Sequence, residues 1–163
     1  MKKIIITIVA LTFISLTSCS SDSDNVSNSN PIETAKSYTH AVNELELLDE
    51  VNSYRVSVGL IPLQIIEHIS HVSSQHNDYM IAVKNANHDG FSERKSNLKQ
   101  VLCAVRVGEN VAYGFNTSKA TVSAWTTSPS HKANLEGDYS HFGASIKTDD
   151  AGRKYYTNMF IKK

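Results

Sequence analysis

The chain has 163 residues, 40% of them hydrophobic, and carries 16 Lys and Arg against 16 Asp and Glu, so its formal charge is zero. That balance leaves no basic field for nucleic acid or for anionic lipid heads. The length beyond a short leader suits one domain built around one core. The leader comes first in chain order. Lys2 and Lys3 precede an apolar run from Ile4 to Leu16, and small residues follow before Cys19. This is the charged, apolar and small-residue order of a secretory signal over residues 1–18. The run is about 13 residues long, against the roughly 20 that an α-helix needs to cross the hydrocarbon core.

Leu16-Thr17-Ser18-Cys19 resembles the lipobox at which bacterial lipoproteins are cleaved and acylated. Cys19 is therefore the expected lipid anchor, carrying palmitate-type chains, since one chain alone holds a membrane only marginally. An ordinary signal cut near Ser18 is the other reading. Residues 19–36 read as a lipid-anchored flexible tether, because the stretch from Ser20 to Asn30 has one apolar residue, Val26, and no aromatic one. Its acidic start resembles a signal that sends lipoproteins to the outer face of an outer membrane; a plain solvated spacer is equally compatible. The expected location is the cell envelope, as an outer membrane lipoprotein. Once Cys19 is lipidated only Cys103 remains, which leaves no intrachain disulfide.

The folded part is expected over residues 37–163. Leu45, Leu48, Val51, Tyr54 and Val58 recur at helical spacing and predict a helix from Ser37 to Val58, with Gly59 ending it and Pro62 following. Ile65, Ile69, Val72, Tyr79, Met80 and Val83 predict a second helix ending near Asn85, before the loop Asn85-Ala86-Asn87-His88-Asp89-Gly90. Ser92 is a candidate cap for a short helix through Leu102. Thr117 or Ser118 caps another through Trp125, and Ser128-Pro129 opens the next. The runs His141 to Thr148 and Lys154 to Ile161, around Asp149-Asp150-Ala151-Gly152, predict an antiparallel hairpin. Helices first and strands last argue for an α+β layered domain.

Gly108-Glu109-Asn110-Val111-Ala112-Tyr113-Gly114 resembles the GENxAxG motif of the CAP superfamily of cysteine-rich secretory, antigen-five and pathogenesis-related proteins. Four further segments agree in order. They are Asn52-Ser53-Tyr54-Arg55 with Gly59-Leu60 and Pro62-Leu63; His76 to Met80 with His88; Trp125 with Ser128-Pro129-Ser130-His131 and Asn134-Leu135; and Tyr139-Ser140-His141-Phe142-Gly143 with Phe160. The resemblance runs from about Glu44 to Phe160. It implies an α-β-α sandwich in which helices flank a small, largely antiparallel sheet.

Family members often gather two histidines and two acidic residues in a cleft. Carried over, this implies a cleft of His88, Glu109, Ser128, His131 and His141, in which Ser128 stands where eukaryotic members have glutamate and either His131 or His141 supplies the second imidazole. His88, His131 and Glu109 are the candidate metal ligands, since two neutral imidazoles and a carboxylate can hold Zn²⁺ or another divalent metal with one position open. Without metal, Glu109 would orient His88 or satisfy backbone groups in a turn expected at Gly108 to Gly114. His68 and His71, three residues apart, are a second candidate pair. Trp125, Tyr113 and Phe142 are expected in the core, as is Cys103. Two function classes follow. One is a non-catalytic surface or periplasmic module that binds a lipid, glycan, metal or protein; the other is a metal-dependent envelope hydrolase using the His/Glu cleft.

Overall fold

The computed structural model describes residues 33–163. The signal, Cys19 and most of the tether lie outside the described residues. Helix α1, Val42–Ser57, buries Leu47, Leu48 and Val51 on one stripe. It begins later than its periodicity predicts. Glu44 reaches back to accept the Ala41 N–H at 2.9 Å and fixes the helix start there. Upstream, the backbone N–H groups of Lys36 and Tyr38 donate to His68 and Glu67, so contacts with the domain begin before Ser37.

A two-residue strand, β1 (Gln64–Ile65), precedes helix α2 (Glu67–Val83). Ile65 thus belongs to a strand rather than to the helix that its spacing predicts. Helix α3, Phe91–Leu102, is entered through Gly90 at φ +70°, and Ser92 lies inside its first turn instead of capping it. Strand β2, Arg106–Tyr113, contains the Gly108 to Tyr113 stretch that reads from sequence as a turn; the chain turns only at Gly114, φ +78°. Helix α4, Ser118–Thr127, is capped by Thr117, whose Oγ1 accepts the Ala120 N–H at 3.1 Å. Ser128 then leads into α5, Pro129–Leu135. Strands β3 (His141–Thr148) and β4 (Lys154–Lys162) form the expected hairpin.

The sheet order is β1-β3-β4-β2, antiparallel throughout except for the parallel β1–β3 edge. On one face, α1, α4 and α5 close over Leu48, Trp125, Leu135, Phe142, Tyr156 and Phe160. The other face meets α2 and α3 through Ile69, Val72, Leu98, Met159 and Ile161. This is an α+β sandwich with helices on both sides of a small sheet. Alternation along β2 therefore sends Glu109, paired with Met159, toward α2 and α3, while Asn110, paired with Asn158, points toward α5. Glycine sets one close approach: a Cβ on Gly143 would stand 2.6 Å from the Ser70 nitrogen, so α2 can lie flat on β3 only there. Two core expectations fail. Tyr113 sits at the strand end and is 40% exposed, and Cys103 is exposed in the left-handed turn that ends α3.

Candidate functional site

Glu109 projects from the middle of β2, and burial there would leave a bare carboxylate costly. Its neighbours supply charge and donors. The Arg94 fork, from the first turns of α3, gives Nε to Oε2 at 2.7 Å and Nη2 to Oε1 at 2.8 Å. His88 Nδ1, from the loop between α2 and α3, lies 2.7 Å from Oε1. Burial pushes the Glu109 carboxyl up. The His88 and Arg94 hydrogen bonds and the Arg94 charge outweigh that and hold it below the usual carboxylate range.

Arg94 also ties the loop itself, through Nη1 to the Asp89 carbonyl at 2.7 Å. Behind it, the buried His76 lies 2.9 Å through Nε2 from the Asn87 carbonyl, and burial lowers its pKa. With Glu109 ionised, His88 Nδ1 donates to it, and the His88 side chain, 51% exposed, stands on the cleft wall.

The opposite wall comes from α5. Asn134 Nδ2 donates to the Glu109 carbonyl and to Asn110 Oδ1, both at 2.9 Å, and Asn110 Nδ2 donates to the His131 carbonyl at 3.1 Å. Two asparagines thereby fasten the helix to β2. Gly108 leaves room for this, because a Cβ there would come within 2.7 Å of Asn134 Oδ1. The cleft between the walls, about 330 Å³, is lined by His88, Phe91, Glu109, Ser130, His131 and Asn134. Burial, then the charge of a protonated His88, lowers the His131 pKa, so His131 is neutral near pH 7.

The sequence candidates separate. His88, Glu109 and His131 share the cleft, and Ser130 rather than Ser128 lines it. Ser128 is half-buried at the α4–α5 junction, its Oγ 3.4 Å from Ser130 Oγ. His141 opens β3 and lines a different cleft with Arg55 and Lys162. His68 has both ring nitrogens engaged, by the Lys36 N–H at 3.0 Å and Asn97 Oδ1 at 2.8 Å, which leaves it no lone pair for a metal shared with His71. Arg94 had no assigned role in the sequence reading. Fifteen residues from Glu109 in a mixed polar helix, it carries no spacing signal; only the register of β2 beside α3 reveals it.

Zn²⁺ on His88, His131 and Glu109 together does not fit this arrangement. Both Glu109 oxygens are engaged by Arg94 and His88. Among the described residues, no group of three or more His, Cys, Asp or Glu could hold a metal ion. Glu109 is positioned behind His88 as its orienting partner.

A family model, the cysteine-rich secretory protein family (CAP), matches residues 48–160. The chain belongs to this family. Among solved structures, an outer surface protein from Borrelia burgdorferi is similar to this CAP chain at 21% identity and a TM-score of 0.67, covering 74% of this chain and 92% of that one. A cysteine-rich secretory protein from Staphylococcus aureus subsp. aureus Mu50 (24% identity, TM-score 0.61) and an extracellular SCP-domain protein from Bacillus anthracis str. Ames (24%, 0.64) each align over 74% of this chain. The CAP chain spans only 39% and 40% of the lengths of those two proteins. These likenesses show the fold. No curated protein sequence matches the chain significantly.

Proposed function

We propose that this CAP domain is a cell-envelope lipoprotein module that binds its ligand in the His88–His131 cleft without transforming it. The observation that carries the reading is the engagement of Glu109: this buried carboxylate is held by Arg94 and His88 and serves to orient His88 rather than standing free in the cleft as a base or nucleophile. What it offers is recognition chemistry. His88 Nε2, His131 and the Ser130 hydroxyl face an open, partly apolar space beside Phe91 and Val107, the mixture that suits a glycan, a lipid headgroup or a peptide. Two imidazoles remain for a divalent metal such as Zn²⁺, fewer than a catalytic site uses. An export signal and lipobox at Cys19 support an anchored envelope location, and similar structures that belong to an outer surface protein and an extracellular protein agree with an envelope or secreted setting.

Soluble peptidoglycan fragments added to the full-length protein test this reading. The expected outcome is amide NMR shifts at His88, Ser130, His131 and Asn134, their loss in His88→Ala/His131→Ala, and fragments recovered at unchanged mass. Fragments recovered cleaved, with cleavage lost in His88→Ala, would establish the hydrolase instead.

A further inference from the structure

A second cleft, about 460 Å³, opens at the strand ends beside the β1–β3 edge and shares no lining residue with the His88 cleft. Arg55 of α1 lines it and is only 3% exposed. Its Nε donates to the Ile61 carbonyl at 3.0 Å and its Nη1 to the carbonyls of Leu135 and Gly137 at 2.7 and 3.1 Å. Those oxygens carry partial charge only. Burial lowers the Arg55 pKa, and the nearest opposing acid, Asp138, is ion-paired to Lys162 at 2.7 Å. The other acid of the cleft, Glu136, accepts the Tyr54 hydroxyl at 2.6 Å and faces Lys132 at 3.7 Å. Among the described residues no carboxylate hydrogen-bonds to Arg55; Asp138 attracts it from a distance and shares its charge with Lys162 and Arg106, so this buried cation is only partly compensated.

One nitrogen of its fork is unused. Nη2 makes no hydrogen bond within the described residues, yet it is not sealed, because the only atoms both buried and unpartnered there are the Tyr155 hydroxyl and Asn158 Oδ1. The rest of the cleft divides by chemistry. Leu60, Ile61 and Pro62 make an apolar wall, and Ile61 is 80% exposed with nothing packed over it. Arg106, stacked 4.9 Å over the Tyr139 ring, adds a further cation behind the opposite wall. A guanidinium N–H pair next to an uncovered aliphatic wall matches a carboxylate with a short branched body.

We propose that this cleft binds a small aliphatic carboxylate, its head on Arg55 Nη2 and its body against Leu60, Ile61 and Pro62. The carboxylate comes either from a free acid or from the C-terminus of a peptide, and both present the same group. The site is independent of the His88 cleft.

Titration of the full-length protein with 4-methylpentanoate, 4-methylpentanamide and acetyl-glycyl-leucine, followed by calorimetry and amide NMR, tests it. The acid should bind in the low millimolar range or tighter, with shifts at residues 60–62 and 137–141, and the neutral amide roughly tenfold more weakly. Tighter binding of the dipeptide than of the free acid assigns the source to a peptide terminus, and the reverse assigns it to free acids. Because Arg55 holds three carbonyls, Arg55→Lys alone is an insufficient control. Ile61→Glu, on an exposed side chain, keeps the fold and should weaken the acid roughly tenfold by placing a like charge at the wall. His88→Ala should leave binding unchanged. The proposal is overturned by equal binding of acid and amide, by shifts confined to His88 and His131, by unchanged affinity in Ile61→Glu, or by no binding of either carboxylate.

Discussion

Glu44 and Glu109 are both hidden carboxylates, 2% and 5% exposed, in two regions of the molecule that treat them differently. Around Glu44, every partner is a neutral donor: the Tyr38 hydroxyl at 2.7 Å and the backbone N–H groups of Ile146 at 2.8 Å and Ala41 at 2.9 Å. That carboxylate is a joint between the N-terminal segment, α1 and β3. Around Glu109 the partners are a guanidinium and an imidazole, and the imidazole stands half in solvent on a cleft wall. The same burial thus yields a structural knot in one place and part of a cleft wall in the other. A carboxylate satisfied by neutral donors of the fold is sealed within it, whereas one bonded to a half-exposed imidazole touches a wall that can meet a ligand.

The strongest way to break this contrast is the isosteric change at both carboxylates. Glu109→Gln leaves Arg94 facing a neutral amide with its side chain 11% exposed, so it should cost about 3–5 kcal/mol in urea unfolding. Glu44→Gln keeps an acceptor for Tyr38 and Ile146 and turns only one oxygen into a mismatched amide opposite the Ala41 N–H. Its expected cost is smaller, about 1–2 kcal/mol. Equal losses in the two variants would mean that burial, not partner charge, sets the energetics.

The acid limb of the stability curve sharpens the same contrast. Because the Glu109 carboxyl is held below its usual range, the unfolded chain binds its proton first, and stability present above about pH 4.3 is lost as pH falls toward the folded pKa. Lowered pKa values at His68, His76 and His131 act earlier and with the same sign. The unfolded histidines protonate near pH 6.5 while the folded ones resist, so stability should begin to fall below about pH 6.5. Urea midpoints measured from pH 8 to pH 3.5 should show two descending steps, and Arg94→Met should shrink the lower one. A curve flat from pH 8 to pH 5 would mean that these three histidines protonate freely in the fold.

The layers were legible in the sequence, and the wall was not. Helical spacing and the Ser128-Pro129 start mark α2, α4 and α5, and the β-rich runs mark the hairpin, because those signals are local. Strand β2 escaped because Glu109 and Asn110 put two polar residues in a strand interior, where alternation predicts one face apolar. They are tolerated only because Arg94, His88 and Asn134 arrive from other elements. His88 and Glu109 were named through a family motif. Their orientation, and the Arg94 fork on Glu109, depend on how α3 packs against β2, which no short-range pattern encodes. Cys103 shows the same limit: Leu102-Cys103-Ala104-Val105 reads as apolar, yet the helix end places Cys103 at φ +55° and outside.

The finest distinction concerns what Arg94 does to Glu109. If the guanidinium keeps that carboxylate from a divalent cation, wild-type protein should bind Zn²⁺ weakly through His88 and His131 alone, with affinity falling in acid because imidazole must be deprotonated to coordinate. Arg94→Met removes the bidentate partner while keeping the length of the side chain, so Glu109 becomes an available third oxygen ligand beside His88. Calorimetry should then show Zn²⁺ affinity raised by roughly tenfold, in the range by which groups around a ligand tune a metal site. Glu44→Gln, outside the cleft lining, should leave it unchanged. An Arg94→Met protein that is folded by circular dichroism yet binds Zn²⁺ no better than wild type would place the barrier in the burial of Glu109 itself. In that case the two glutamates differ only in their partners and not in what they can do.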